Sequence, residues 1–185
     1  SREQTMDCLT PSILKKLSEW FYVNPDWLEG TSSSPVHLTV LNDWFHVAQI
    51  LIKRIRESDP VDILGRPVDI LARPEIFLVR EIDMQGHKLE DTFIFIRRFR
   101  TINNTLVQIV ECIGHCLETS ESKQQLTGFM SMCGLLLKER IISKTDSYLT
   151  TSQILNSLKT GSALPVSALG QTQKLFLNDE QNYWG

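Results

Sequence analysis

The chain has 185 residues, of which 42% are hydrophobic and 22% charged. That is enough to bury one substantial core plus a small appendage, which excludes a disordered segment or a cross-linked mini-protein. The formal charge of −3 argues against charge-driven coating of nucleic acid or acidic membrane by this chain alone. The longest apolar runs, such as Ile76-Phe77-Leu78-Val79 and Phe93-Ile94-Phe95-Ile96, fall far short of the roughly 20 residues that cross a bilayer, so no membrane partner is expected. The opening residues do not read as a secretory leader and four scattered cysteines make no disulfide framework, so a reducing cytoplasm is the expected setting.

Two helix starts stand near the beginning. Thr10-Pro11 pairs a capping oxygen with a proline at the first helical position, and Ile13, Leu14, Leu17 and Phe21 follow at helical spacing. Asn24-Pro25 repeats the arrangement, with Trp27 and Leu28 packing back and Gly30 stopping the turn. Gly30 to Pro35 reads as a linker of small polar residues and predicts a boundary. From Thr39 the apolar positions 41, 44, 45, 48, 51, 52 and 55 form one stripe of a helix ending near Glu57, before Asp59-Pro60.

A tandem heptapeptide follows, Val61 to Pro67 and Val68 to Pro74, identical except at Gly65 and Ala72. Its prolines predict short turns or extended pieces. Glu75 to Ile82 and Asp91 to Phe99 are rich in Ile, Val and Phe and flank Asp83 to His87, which predicts an antiparallel hairpin with a longer loop. Leu106, Ile109, Val110, Ile113 and Leu117 predict a helix over about 103–118, and Leu126, Phe129, Met130, Cys133, Leu136 and Leu137 a second over about 122–141. Gly114, Gly128 and Gly134 are expected to allow close helix approach. Thr151 is expected to cap a short helix through Leu158 that stops at Gly161, and the tail from Ser162 is expected to be irregular, with Leu175 to Leu177 and Tyr183-Trp184 as docking points.

The string Pro11 to Gly30 resembles the last two helices of the Cro/CI-type (XRE) helix-turn-helix domain of phage repressors. Pro11, Leu14, Leu17, Val23, Asn24, Asp26, Trp27, Leu28 and Gly30 fall at that family's spacing. Tyr22 departs from it, standing where members carry Gly or a small polar residue that leaves the helix with positive φ. The resemblance implies that the DNA-reading helices precede Ser1. Residues 1–30 hold three basic against five acidic residues, so DNA is expected as a partner only together with those helices. Arg2 and Ser12 are the positions that would supplement contacts to the sugar-phosphate backbone.

Other chemistry is sparse. Cys112, His115, Cys116 and Cys133 are zinc-compatible residue types, but their spacing matches no zinc signature and core packing is the favoured reading, so no metal or cofactor is expected. Arg80, Arg97, Arg98 and Arg100, with Arg66 and Arg73 nearby, would form an anion or ligand pocket if they converged. The alternative is strand-end charge paired with Glu75, Glu81, Glu90 or Asp91. No phosphate loop, self-cleaving Ser-Lys arrangement or metalloprotease motif is present, so catalysis is not expected.

The expected architecture is therefore α+β, mainly helical with one antiparallel hairpin or small sheet. It comprises a helix-turn-helix remnant (1–30), a linker (31–35), a dimerisation and regulatory domain (36–160) and a tail (161–185). The expected function is the regulatory, homodimerising part of a phage-type transcriptional repressor that answers a protein or small-molecule effector. The alternative is an antitoxin-like or anti-repressor-binding interaction module.

Overall fold

The computed structural model describes residues 9–36, 43–58, 72–82, 88–117 and 120–174. It is an α+β fold. The order along the chain is α1 (Pro11–Phe21), α2 (Pro25–Leu28), α3 (Trp44–Arg56), β1 (Glu75–Ile82), β2 (Lys88–Ile102), β3 (Thr105–Leu117), α4 (Ser120–Lys138), β4 (Lys144–Thr151), α5 (Ser152–Lys159), α6 (Pro165–Leu169) and β5 (Gln173–Lys174). The first copy of the heptapeptide and most of the second, the hairpin loop at 83–87, Arg2, and the docking points of the tail lie outside the described residues. No helix among the described residues is long and apolar enough to cross a membrane.

The sheet runs β3-β2-β1-β4-β5. β1, β2 and β3 form an antiparallel meander, α4 then crosses over, and β4 returns parallel to β1. Both faces are covered, which explains why β1 and β2 read as unbroken apolar runs rather than as alternation. Ile76, Leu78, Ile94 and Ile96 enter a core with Trp44, Val47, Leu51 and Ile55 of α3 and Leu126, Phe129, Cys133 and Leu136 of α4. Their neighbours Phe77, Val79, Phe93 and Phe95 enter a second core with Leu155 and Leu158 of α5 and Ala168 of α6.

Several sequence expectations are met and others are corrected. β1 has the predicted bounds, and α5 forms where the sequence predicts a short helix, though Thr151 makes no side-chain cap bond. Asp43, not singled out from the sequence, caps α3 by accepting from the His46 N–H. The buried stripe of α3 is Trp44, Val47, Leu51 and Ile55, while Phe45 points outward at 66% exposure. The helix expected over about 103–118 is instead strand β3. Asn103 and Asn104 both take positive φ, 48° and 62°, and close a two-residue turn between β2 and β3 of the type that matches strand twist. The apolar positions at helical spacing were misleading because the second half of β3 is buried on both faces, which removes alternation.

Gly128 and Gly134 face open space, so they mediate no close approach among the described residues. β4 had no predicted counterpart. The segment from Ser162, expected to be irregular, forms α6 and β5, and Ala168 is fully buried in the second core.

At the N-terminal end the capping chemistry is realised. Thr10 accepts from the Ile13 N–H and Asn24 from the Asp26 N–H. Asn24 is buried, and its amide also donates to Ser32 Oγ and the Ser34 carbonyl. Asn24→Ala is expected to cost about 2 kcal/mol, from the lost cap and the abandoned buried partners. A urea midpoint within experimental error of the parent would contradict this role.

Residues 31–36 lie against both neighbours. The Asn24 N–H donates to the Pro35 carbonyl, and Ser34 Oγ donates to the Thr160 carbonyl at the end of α5. Gly161 has φ +67°, and a Cβ there would sit 2.6 Å from the Val36 carbonyl oxygen and 2.8 Å from Ser34 Cβ. Only glycine permits that turn and that approach together.

Candidate functional site

β2 and β3 run past the end of β1, since β1 pairs only as far as Arg97 whereas the β2–β3 ladder continues to Ile102 and Thr105. This two-strand extension carries Arg98 and Arg100, and α1 and α2 sit over it. The junction is built on Tyr22. Its backbone leaves α1 in the left-handed region, φ 54° and ψ 39°, a conformation that costs a bulky residue free energy. The side chain is where that cost is offset. Tyr22 Oη donates to Glu57 at 2.8 Å, and the ring lies under the guanidinium groups of Arg54, at 4.2 Å, and Arg98, at 4.9 Å. Arg100 reaches the Glu19 carbonyl and Tyr22 Oη, both at the outer limit of hydrogen bonding.

Behind Tyr22 is a buried charge cluster. Arg54 Nε donates to both carboxylate oxygens of Glu111, at 2.9 and 2.8 Å. Arg98 is completely buried, with Nη2 at 3.7 Å from Glu111 and 3.9 Å from Glu57, and Nη1 at 3.4 Å from the Glu57 carbonyl. Burial raises the Glu111 carboxyl above its ordinary value, and the adjacent Arg54 and Arg98 charges only partly offset this. For Glu57, burial is outweighed by the Tyr22 hydrogen bond and by Arg54 and Arg98, which hold its carboxyl below the ordinary value.

A depressed folded-state value means that stability from Glu57 is complete above the ordinary glutamate range and is lost as pH falls through the lower folded value. Glu111 acts with the opposite sign, gaining stability as pH falls through its raised value. Glu57→Gln is therefore expected to flatten the acid limb of the stability profile, and acid titration followed by circular dichroism measures it. An unchanged limb would mean that Glu57 is not coupled to the cluster.

Between the helix pair and the sheet lies a cavity of about 730 Å³. Phe21, Tyr22, Trp27 and Leu28 wall one side, Leu164 and Val166 line another, and Lys53 and Arg54 stand at the α3 side. Six consecutive residues of β3, Gln108 to Ile113, line it. The cavity thus wraps around an edge strand and reaches both of its faces.

The residues singled out from sequence fall as follows. Ser12 is exposed on α1, and Arg2 lies outside the described residues. Arg98 and Arg100 belong to the cluster around Tyr22. Arg97 pairs with Glu75 on the opposite face and lies over the Phe77 ring. Arg80 is buried toward the other end of the sheet, opposite Thr92. The four arginines therefore do not converge on one pocket.

Cys116 and Cys133 enter the α3/α4 core. Cys112 packs against the other core, where His115 stacks on Phe93 with ring centroids 4.4 Å apart. The four zinc-compatible residues are thus divided between the two faces, and no group of three such ligands converges among the described residues. Burial pushes the thiols of Cys112, Cys116 and Cys133 up to about 12. All three are expected to resist iodoacetamide at pH 8 in the native protein and to react once unfolded, read by peptide mass spectrometry. Rapid native alkylation of any of them would contradict that burial.

Sequence reasoning missed Tyr22 as a contact, and missed Arg54, Glu57 and Glu111. The available signals were Arg54 and Glu57 three residues apart at the C-terminal end of one helix and a lone acid in the apolar run of β3. No protein-family model matches the sequence, and neither a curated protein nor a solved structure is significantly similar to it.

Proposed function

We propose that this chain is the regulatory and dimerisation part of a cytoplasmic transcriptional regulator of the phage-repressor type, coupling self-association or a signal to operator binding by helices that precede it. The observation that carries the reading is the conformation of α1 and α2. Each has a proline at its first turn and a side-chain cap, Gly30 stops the second with φ +79°, and Tyr22 adopts the left-handed exit that the resembled family provides with Gly or a small polar residue. The bulky residue at that position is tolerated because its ring and hydroxyl are held by α3 and β2, which ties the helix pair to the sheet.

The mechanism follows from the arithmetic of binding. One helix-turn-helix module makes too few contacts for tight specific binding, whereas two modules held roughly 34 Å apart gain affinity and select a palindromic site. An effector that prefers one seating of α1 and α2 on the sheet shifts the population toward it and so changes operator occupancy.

The test compares this chain with the protein that its natural gene encodes in full. Light scattering is expected to give a dimer, and DNA selected from a random library is expected to be bound specifically by the full gene product and at least a hundredfold more weakly by this chain. Tight specific binding by this chain alone, no binding by the full gene product, or a full gene product with no helix-turn-helix ahead of this chain would overturn the reading.

A further inference from the structure

We infer that the cavity between the helix pair and β3 is a docking site for an extended peptide, which adds as a strand to the free edge of the sheet. β3 is the terminal strand of the sheet, and among the described residues its outer edge makes no backbone hydrogen bond beyond its ladder with β2. The two-residue turn at Asn103-Asn104 sets the alternation: Thr105, Val107, Ile109 and Glu111 turn their backbone groups toward β2, so Leu106, Gln108 and Val110 turn theirs away. Two of those three, Gln108 and Val110, lie within the cavity lining.

This edge differs from an ordinary solvated one in what stands opposite it. Phe21, Trp27 and Leu28 face it from the helix pair, and Leu164 and Val166 from α6. The cavity volume of about 730 Å³ lies within the roughly 300–1,000 Å³ of ligand sites. A row of alternating backbone donors and acceptors at strand spacing, walled by apolar side chains on both faces of the strand, matches the chemistry of a peptide with apolar residues at alternate positions. A purely apolar small molecule would leave those donors and acceptors unpaired. Lys53, exposed at the α3 side, favours a peptide with an acidic residue or its carboxyl terminus at that end, whereas Arg54 beside it is already engaged by Glu111 and Glu57.

This inference deepens the proposed function by naming the class of signal. The consequence for DNA rests on that reading, whereas the site rests on the free edge of β3 and the apolar walls that face it. The test is selection of a random seven-residue library displayed on phage against this chain, with the Val110→Pro chain as counter-selection. The most enriched peptide is then synthesised with and without N-methyl groups on alternate amides.

The expected result is a set of sequences with apolar residues at alternate positions, binding saturably. Binding should weaken at least tenfold on N-methylation and likewise in Val110→Pro, since proline withdraws an outward N–H while remaining acceptable on an edge strand. Should Val110→Pro fail to fold, Leu28→Trp, which fills the cavity from α2, must weaken binding to the same degree. No enrichment over the counter-selection overturns the inference. Binding indifferent to N-methylation also overturns it, and would mark the cavity as one for an apolar small molecule. No DNA enters the experiment, so its failure leaves the operator-binding reading standing, and failure of that reading leaves peptide capture intact.

Discussion

Glu111→Ala is expected to destabilise the fold by about 3–5 kcal/mol, the cost of stranding a buried charge whose partner has been removed. The carboxylate receives two bonds from Arg54 and lies 3.7 Å from Arg98. Without it Arg98, which has no exposed surface, is left among the described residues with the Glu57 carbonyl at 3.4 Å, the Glu57 carboxylate at 3.9 Å and the face of the Tyr22 ring at 4.9 Å. Urea unfolding gives the magnitude.

The sharper measurement is a cycle with Arg98→Met. If the cost is that of an abandoned charge, the double variant Glu111→Leu/Arg98→Met recovers a large part of what Glu111→Leu alone loses, because an apolar pair of similar volume no longer needs solvation. Additive losses would mean that the two side chains act through packing instead. A loss below 1 kcal/mol for Glu111→Ala would mean that water reaches Arg98.

The same cluster explains why α1 and α2 stay seated. Tyr22 is the only side chain of the helix pair whose ring lies against both guanidinium groups, and its hydroxyl is bound by Glu57. Loss of Glu111 frees Arg54 and Arg98 to relax, and the platform under the Tyr22 ring relaxes with them. Hydrogen exchange should therefore rise in α1 and α2 more than in β1, even where the remaining fold is intact. On the reading proposed here, this junction is where a bound peptide would be felt, since Tyr22 and Arg54 also line the cavity.

What could be read from the sequence was local. The caps at Thr10 and Asn24 are single residues acting on neighbours two or three positions away, and Glu75 to Ile82 is long and β-branched enough to leave no alternative, whereas Thr151 precedes its helix without a side-chain cap bond. β3 was hidden because its apolar residues satisfy a helical period and a doubly buried strand equally well, and the turn that decides between them rests on two asparagines at positive φ.

β4 was hidden for a different reason. Lys144-Thr145-Asp146-Ser147-Tyr148 carries little apolar content, and it is a strand because β1 offers it a parallel ladder. The candidate site was the least legible part, since Tyr22, Arg54, Glu57, Arg98 and Glu111 come from four separated elements, and only the crossing of α1, α3, β2 and β3 joins them.

Ile94→Ala and Phe95→Ala are expected to be similarly severe, about 2–5 and 3–5 kcal/mol respectively, although they are adjacent on one strand. In a sheet with one solvated face, neighbouring positions alternate between a costly and a nearly silent truncation. Here Ile94 is buried against α3 and α4, and Phe95 against α5 and α6, each with no exposed surface. Equilibrium unfolding of the two variants therefore tests whether α5, which the sequence predicts, and α6, which it does not, cover the sheet in solution. A near-silent Phe95→Ala beside a damaging Ile94→Ala would leave the α3/α4 layer in place but strip the second core of its role. The cavity would then lose the Leu164–Val166 wall on which peptide capture depends, because α6 is held to the sheet through Ala168 in that same core.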